Sequence, residues 1–336
     1  NLQEIFRKKE REDENMSETS VNQRKVAMIG CGFVGSATAF ALMESGLFSE
    51  MVLIDADKNR AEGEALDISH GLPFARPMKI YAGDYDDIVD AAIIIVTAGA
   101  NQKPDETRLD LVQKNVGIFK SIIPEIAKRN CGGILLIVSN PVDILTYTAL
   151  KLSGFPENRV LGSGTVLDTA RLKYNLGEHL NVDSRSVHAF IIGEHGDSEF
   201  VPFSQLNLST MNIEELIETD KFSSELKRED IDDIIEKVKN SGAEVIKLKG
   251  ATYYGIGMSL VRITKAIFGD ENSVITVSSR LNGEYGMRDV YLGLPAYVNR
   301  NGVRKILPLN LTDEEIEKLN NSYQILKDSF DNLDLN

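Results

Sequence analysis

A glycine-rich turn between two short apolar runs constrains this chain more than any other stretch. Residues 26–29 form an apolar run typical of a buried strand, and residues 30–35 have the spacing GxGxxG. Residues 36–45 favour a helix, and a second apolar run over residues 51–54 ends in Asp55. This order of strand, glycine turn, helix, strand and acid is the fingerprint of a dinucleotide-binding site.

The three glycines and the acid have separate physical roles in such a site. We expect Gly30 to allow the tight turn, Gly32 to let the backbone approach a pyrophosphate, and Gly35 to let the helix pack on the strand. Free N–H groups at the helix N-terminus would then face the phosphates. Asp55 is placed to accept hydrogen bonds from a ribose 2′-hydroxyl and would repel a 2′-phosphate. The sequence therefore predicts NAD rather than NADP.

The same stretch has a competing interpretation as a signal or membrane segment. Residues 26–43 contain no charge and follow Arg24 and Lys25. Three glycines, Ser36 and Thr38 interrupt this run, and no other run is long enough to span a bilayer. The dinucleotide interpretation is favoured.

Composition limits the partners that such a protein could have. The chain has 336 residues, 42% hydrophobic and 26% charged, which suits two lobes with sizeable cores. Its 37 basic and 51 acidic residues give a net charge of −14. This acidity argues against nucleic acid and anionic membranes as partners, so an anionic substrate must be held by a few local arginines. Cys31 and Cys131 offer neither a disulfide framework nor a metal-binding spacing. Because no stretch makes a credible signal segment, we expect a cytoplasmic protein.

Residues 1–24 are dense in charge and lack a pattern that could enter a core. We expect residues 1–21 to form an N-terminal tail, either disordered or packed as an arm on another subunit.

The remaining chain divides into two parts. In the first, short apolar runs at residues 78–82, 92–98, 133–139 and 160–161 alternate with helical patterns at 59–69, 108–129 and 142–152. This alternation predicts a doubly wound parallel sheet covered on both faces, over residues 22–161. The second part, residues 162–331, has α+β character, with predicted helices at 167–179, 231–249 and 313–330 and strands at 185–193, 274–280 and 290–307.

Four segments hold polar residues that a core does not need. They are residues 99–108, 139–143, 168–171 and 192–197. The first is a long polar connection after a buried strand, which is typical of a mobile lid. Ligands in an open sheet lie beyond the carboxyl ends of the strands, so we expect the chemistry at these segments.

These motifs together resemble one family. GANQKPDETRLDL, SNPVDILTY, GSGTVLDTAR, IIGEHGD and KGATYYGI follow one another in the order found in the L-2-hydroxy-acid dehydrogenases, the family of lactate and malate dehydrogenases, and most closely in its bacterial lactate-specific members. The resemblance extends over residues 22–330. It implies a Rossmann-type NAD-binding domain followed by an α+β catalytic domain.

The resemblance implies that His195 is the acid/base catalyst, oriented by Asp168, while Arg171 binds the substrate carboxylate. The physics agrees, because oxidising a secondary alcohol requires a base for its hydroxyl proton, and imidazole has a suitable pKa. Asp168 and Arg171 lie three residues apart and would share a helix face. An ordinary intrahelical ion pair is the alternative interpretation of that spacing. No metal site is expected, because histidines and cysteines do not cluster in the sequence.

The resemblance implies that the lid, residues 99–108, determines which substrate binds. Arg108 would close over the substrate and polarise its C2 oxygen, with Asn140 bonding the same oxygen and Thr252 near the substrate methyl group. Gln102 occupies the position where an arginine would pair with the second carboxylate of malate. A neutral glutamine favours lactate and pyruvate, because a closed cleft takes an unpaired anion only at high cost. Malate dehydrogenase remains the alternative, since neighbouring Lys103 could partly replace that arginine.

The resemblance also implies cofactor contacts, an effector and an assembly. The implied NAD-binding residues are Gly30, Gly32, Phe33, Val34, Gly35, Asp55, Arg60, Thr97, Ala98, Gly99, Ala100, Val138 and Asn140. Lys173 and His188 match the positions that bind fructose 1,6-bisphosphate in bacterial members. The first of these is usually arginine, and lysine is a point charge rather than a bidentate fork. The family implies a homotetramer, or a dimer of related form.

Overall fold

Six parallel strands form the centre of the molecule in a computed structural model that describes residues 21–100, 108–129, 132–218 and 226–333. Their spatial order is β3-β2-β1-β4-β5-β6. Every side chain of β4 and β5 is buried, because helices cover both faces of the sheet. The strands are β1 Asn22–Ile29, β2 Glu50–Ile54, β3 Lys79–Ala82, β4 Ala91–Val96, β5 Ile134–Ile137 and β6 Val160–Gly162.

Four helices connect these strands. They are α1 Phe33–Ser45, α2 Lys58–Ser69, α3 Arg108–Lys128 and α4 Val142–Ser153. The sequence specifies several of their ends: Asp57 accepts hydrogen bonds from the first N–H groups of α2, while α1 and α4 end at Gly46 and Gly154. Both glycines have positive φ, 64° and 65°, a conformation that a side chain disfavours.

The second part of the chain extends the same sheet and adds two small sheets. Strands β11 Ser278–Asn282 and β12 Arg288–Gly293 continue the sheet antiparallel beyond β6. The small sheets contain β7 Val187–His188, β8 Asn207–Leu208 and β9 Met211–Asn212, and β10 Ser273–Ile275, β13 Ala296–Asn299 and β14 Gly302–Ile306. The helices are α5 Val166–Leu180, α6 Ile213–Glu218, α7 Arg228–Lys249, α8 Tyr254–Phe268 and α9 Asp313–Asp331. The predicted fold class is confirmed.

The sequence missed one helix, and three predicted strands differ from the structure. One of these, predicted at 274–280, divides into β10 and β11, which belong to different sheets. Helix α8 was not predicted, because its glycines and β-branched residues have low helix propensity. Its packing against α1 stabilises it, since the absence of a side chain at Gly257 brings the two helices close together. The strand predicted at 185–193 is regular only at β7 and then forms a single bridge between Ile192 and Phe200. The run predicted at 290–307 divides into parts of β12, β13 and β14, with a tight turn at Gly302.

Helix α5 connects the two parts of the molecule. Its residues Leu172 and Leu176 are completely buried in a second apolar core with side chains of α7, such as Ile231 and Val238. This packing fixes the orientation of α5, whose N-terminal turns carry Asp168 and Arg171.

None of the helices in the described ranges has the length and apolar character needed to cross a membrane.

Adding one methyl group at Gly35 should disrupt the glycine turn. A Cβ atom there would lie 1.9 Å from the carbonyl oxygen of Gly30, whereas nothing lies within 4 Å of a Cβ at Gly32. We expect Gly35→Ala to lower the free energy of unfolding by about 3 kcal/mol or more, measured by urea denaturation without cofactor. Gly32→Ala is the matched control and should change it by less than about 1 kcal/mol. Equal stability of the two variants would contradict this account of the turn.

Candidate active site

The glycine turn has the shape and the free N–H groups that a phosphate site requires. Gly30 has φ of +102°, and a side chain there would collide with Ala98. Gly35 packs directly on the Gly30 carbonyl, and the space around Gly32 is open. No side chain caps the first turn of α1, which leaves its N–H groups for an anionic ligand. These residues therefore fit a dinucleotide pyrophosphate.

Asp55 lies at the end of β2 and holds the turn in place. Its Oδ2 accepts a hydrogen bond from the backbone N–H of Cys31 at 2.6 Å, and its Oδ1 accepts one from Asp57 at 2.9 Å. Each carboxylate oxygen has a further lone pair for a ribose hydroxyl. Asp55 therefore joins the turn to the position where an adenosine ribose would bind.

The loops after β4 and β5 are joined by a residue that sequence reasoning missed. Asn115 of α3 is 1% exposed; its side chain accepts from Ala100 N–H at 2.7 Å and donates to the carbonyl of Asn140 at 2.7 Å. Its signal in the sequence is a polar residue on the apolar face of a helix, between buried Val112 and Val116.

The other predicted cofactor residues lie around this edge of the sheet. Thr97 donates to the carbonyl of Gly30 at 2.8 Å, and the Ala98 carbonyl accepts from Ser139 at 2.6 Å. Val138 is buried and Asn140 is exposed. Phe33, Val34, Gly99, Ala100 and Arg60 are also described, with Arg60 exposed in the first turn of α2 and Phe33 stacked on Tyr253.

The structure brings together a trio of predicted site residues, the catalytic His195 and Asp168 and the substrate-binding Arg171, which span 27 residues of sequence. His195 Nδ1 lies 2.8 Å from Asp168 Oδ2, and Arg171 Nη1 donates to Asp168 Oδ1 at 2.9 Å. The Asp168 side chain is only 3% exposed, while 27% of the His195 side chain is accessible. The imidazole is thus held by one nitrogen against a buried carboxylate, with its ring edge accessible to a ligand.

The charges of this trio shift each other's pKa values. Burial alone would lower the pKa of His195, but the negative charge of Asp168 outweighs it and raises that pKa well above the usual value. Burial would raise the pKa of Asp168, but the charges of His195 and Arg171 lower it. The trio is therefore suited to holding a proton on the imidazole at neutral pH.

The segment that carries His195 is braced from two sides. The backbone N–H of His195 donates to Asp143 Oδ2 at 2.8 Å, and the same carboxylate accepts from Ser278. Complete burial raises the pKa of Asp143 to about 6. Ser322 of α9 donates to the carbonyl of Ser198 at 2.8 Å, and its hydroxyl occupies the space beside Gly193 that a side chain would fill.

A second buried carboxyl group, also missed in the sequence, lies beside the histidine. Glu199 Oε2 is 3.5 Å from His195 Nδ1, and the side chain is 6% exposed. One polar side-chain atom from each of Asp168, His195 and Glu199 lies within 4.8 Å of the other two. The chain folds back between Ile192 and Phe200 and so returns Glu199 to the histidine, a contact without a sequence motif.

The remaining predicted site residues fall in different places. Thr252 is half-buried in the connection between α7 and α8, both of which pack on α5. Lys173 is half-buried on α5 and His188 is exposed on β7. Gln102 and the side chain of Arg108 lie outside the described residues.

Comparison with known proteins agrees with this architecture. Residues 24–162 match the family model of the lactate/malate dehydrogenase NAD binding domain, and residues 165–334 match that family's alpha/beta C-terminal domain. The L-lactate dehydrogenase of Priestia megaterium is 53% identical over 92% of this chain and 96% of its own length. L-lactate dehydrogenase 1 of Clostridium acetobutylicum is 52% identical over 92% of this chain and 98% of its own.

Solved structures of similar enzymes share the fold. The minor L-lactate dehydrogenase of Enterococcus mundtii in its ligands-bound form superimposes with a TM-score of 0.90 at 44% identity, covering 95% of this chain and all of that one. Its ligands-unbound form gives 0.85 at the same identity, covering 92% and 96%.

A Rossmann-type sheet with this glycine turn, joined to a lobe that carries a histidine and carboxylate pair, defines an NAD-dependent dehydrogenase. The chain belongs to the lactate/malate dehydrogenase family. The resemblance found in the sequence and the choice of NAD as cofactor are thereby confirmed.

Removing the charge of Asp55 should weaken the preference for NADH. Asp55→Asn retains an oxygen that can accept from Cys31, but it no longer repels a 2′-phosphate. We expect the ratio of kcat/KM for NADPH to that for NADH to rise about tenfold or more, equivalent to roughly 1.4 kcal/mol. Asp57→Asn, two residues on, is the control. An unchanged ratio in Asp55→Asn would rule out this role.

Proposed function

We propose that this protein is an L-lactate dehydrogenase, which transfers hydride reversibly between (S)-lactate and NAD⁺ to give pyruvate and NADH. The observation that carries the proposal is the buried pair of Asp168 and His195, with Arg171 on the same carboxylate. Relatives at 50–53% identity over nearly the whole chain bear the same name. Malate dehydrogenase is not favoured by these relatives.

His195 supplies the proton in the direction of pyruvate reduction. Bound NADH would supply the hydride for C2, and the imidazolium of His195 would give its Nε2 proton to the carbonyl oxygen. The ring becomes neutral, and Asp168 keeps Nδ1 protonated and fixes the ring orientation. In the reverse direction, neutral His195 accepts the hydroxyl proton of lactate. The raised pKa of His195 keeps the imidazole in the protonated form that pyruvate reduction requires.

Arg171 is proposed to bind the substrate carboxylate. One guanidinium nitrogen is bonded to Asp168, and its other donors have no partner among the residues that the structure describes. Two of them could make parallel bonds to a carboxylate. Asn140 is proposed to bond the C2 oxygen, Thr252 to lie beside the methyl group, and Arg108 to polarise the carbonyl as the lid excludes water.

Gln102 is proposed to select pyruvate over oxaloacetate. We expect kcat/KM for pyruvate to exceed that for oxaloacetate by ~100-fold, or roughly 3 kcal/mol, in an assay of NADH oxidation. Gln102→Arg should reduce or reverse this preference, because it supplies a cation for the second carboxylate. Lys103→Gln is the control and should leave the preference unchanged. Faster turnover of oxaloacetate by the unmodified protein would overturn the lactate assignment and leave the dehydrogenase class intact.

Fructose 1,6-bisphosphate is proposed as a weak activator. Burial lowers the pKa of Lys173, which has no acidic partner in the described ranges, and His188 is exposed on β7. A lysine in place of the family's usual arginine offers fewer fixed donors to a phosphate.

We also propose a cytoplasmic role in fermentation, in which pyruvate reduction regenerates NAD⁺.

A homo-oligomer, a dimer or tetramer, is proposed from an exposed apolar surface. Large apolar side chains are exposed on five helices that pack against one another: α1, α2, α5, α7 and α8. We call them the apolar helix surface; they are Phe40, Leu66, Tyr174, Ile246, Leu248, Tyr254 and Met258. Several large apolar side chains exposed on neighbouring helices are typical of a protein interface.

A charge on the apolar helix surface should weaken association. Met258 is 61% exposed on α8, and a glutamate there would be buried without a partner in an assembled interface. We expect Met258→Glu to weaken self-association roughly 30-fold, or about 2 kcal/mol, measured by light scattering across a dilution series. Ile325→Glu, on α9 outside this surface, is the control. A monomeric unmodified protein, or equal association of both variants, would contradict the proposal.

A further inference from the structure

The catalytic histidine faces two buried carboxyl groups rather than one. Asp168 Oδ2 and Glu199 Oε2 lie 2.8 and 3.5 Å from the same nitrogen, His195 Nδ1. Neither oxygen has an aligned hydrogen-bond donor elsewhere among the described residues. Because Nδ1 carries one proton, it can bond well to only one of them. The proposed catalytic pair uses Asp168, and Glu199 is left without a role.

Two carboxylates this close in a buried site do not ionise together easily. The two oxygens lie within 4.8 Å of each other, and like charges at that distance repel strongly where water is excluded. Asp168 has a cation of its own in Arg171, at 2.9 Å, whereas Glu199 shares only the imidazole. Asp168 is therefore the group that stays ionised, and Glu199 the one that keeps a proton.

The electrostatics of the cluster agree with this assignment. Burial raises the pKa of Glu199, and the charge of Asp168 adds to the effect against the opposing influence of His195. The pKa of Asp168 is lowered, so the two carboxyl groups shift in opposite directions. Such a pair titrates as a unit with the histidine between them.

Resting on the proposed lactate dehydrogenase function, we propose that Glu199 is a positioning residue that extends the pH range of catalysis. Glu199 is neutral in the resting protein and loses its proton before His195 does as the pH rises. The carboxylate then formed beside Nδ1 holds the imidazolium in its protonated state. His195 therefore remains able to deliver a proton to pyruvate at a higher pH than Asp168 alone would permit.

A cleft beside Glu199 gives its proton a route to solvent. Glu199 lines this open cleft of about 690 Å³ between α9 and the segments around α6 and α7. Charged groups of both signs line this cleft, including Arg228, Asp232 and Lys239 of α7 and Glu314, Glu315 and Lys318 of α9. On the protein side, the charged groups are Asp168 and Arg171 of α5, Asp143 of α4, and Glu194 and Asp197 of its own segment. All of these groups are retained in Glu199→Gln and Glu199→Asp.

The direct test measures the proton affinity of His195 in Glu199→Gln. Diethyl pyrocarbonate acylates neutral imidazole, so its rate at His195, followed by mass spectrometry of that peptide, reports the pKa without substrate or cofactor. EDTA in all buffers removes any metal ion from the group of Asp168, His195 and Glu199. We expect the pKa of His195 to fall by about one unit, a tenfold loss of proton affinity. Glu199→Asp should give an intermediate value, because the charge is retained farther from Nδ1.

The pH profile of pyruvate reduction gives the second measurement. In Glu199→Gln, kcat/KM should match the unmodified protein within about twofold at pH 6, while its decline on the alkaline side should begin about one unit lower. Glu214→Gln, a loss of the same charge at an exposed position on the cleft, is the matched control and should change neither measurement.

The outcomes separate this proposal from the proposed function. An unchanged pKa of His195 in Glu199→Gln overturns the role of Glu199, as does a uniform loss of activity at all pH values with that pKa unchanged. If Glu199→Gln does not fold, an unchanged pKa in Glu199→Asp overturns it equally. If Glu199→Gln lowers the pKa of His195 but the unmodified protein does not reduce pyruvate, the coupling is supported and the lactate assignment is removed.

Discussion

The site depends on the interaction of the buried Asp168 carboxylate with Arg171 and His195. A carboxylate removed from water is stable only if positive charge and hydrogen bonds replace its hydration. Here Arg171 binds one oxygen and His195 approaches the other. The same requirement orients the imidazole, raises its pKa and places a guanidinium where it can bind an anionic substrate. Electrostatic stability and catalytic geometry therefore have a single source.

The rest of the structure holds the two partners of that carboxylate in place. Helix α5 is fixed by the second apolar core, which positions Asp168 and Arg171. The segment with His195 comes from a different part of the chain and is tied to α4 through Asp143 and to α9 through Ser322. The cofactor site is built separately, from the glycine turn and the loops after β4 and β5, which Asn115 joins. The segment with His195 reaches the same large sheet through the bridge between Gly193 and Gly293 of β12.

The agreement between sequence and structure follows from the range of the forces involved. Strands β4 and β5 are uniformly apolar, and α2 begins at a capping aspartate, so local pattern is enough to predict both. Helix α8 was missed because it depends on close packing against α1 rather than on its own propensity. The strand predicted at 185–193 is largely irregular, because the chain must turn back at Gly193 and Gly196, both of which have positive φ.

The sequence by itself determined the dinucleotide turn and the alternating strands and helices of the parallel sheet, because these depend on neighbouring residues. It also predicted His195, Asp168 and Arg171 as site residues, because they lie in motifs of fixed spacing. Only the tertiary structure decided that Asn115 joins two loops, that Asp143 supports the backbone of His195, and that Glu199 lies 3.5 Å from the imidazole. These contacts join residues that are not part of a common motif. Their energies come from burial and from the proximity of charges, which only the folded chain creates.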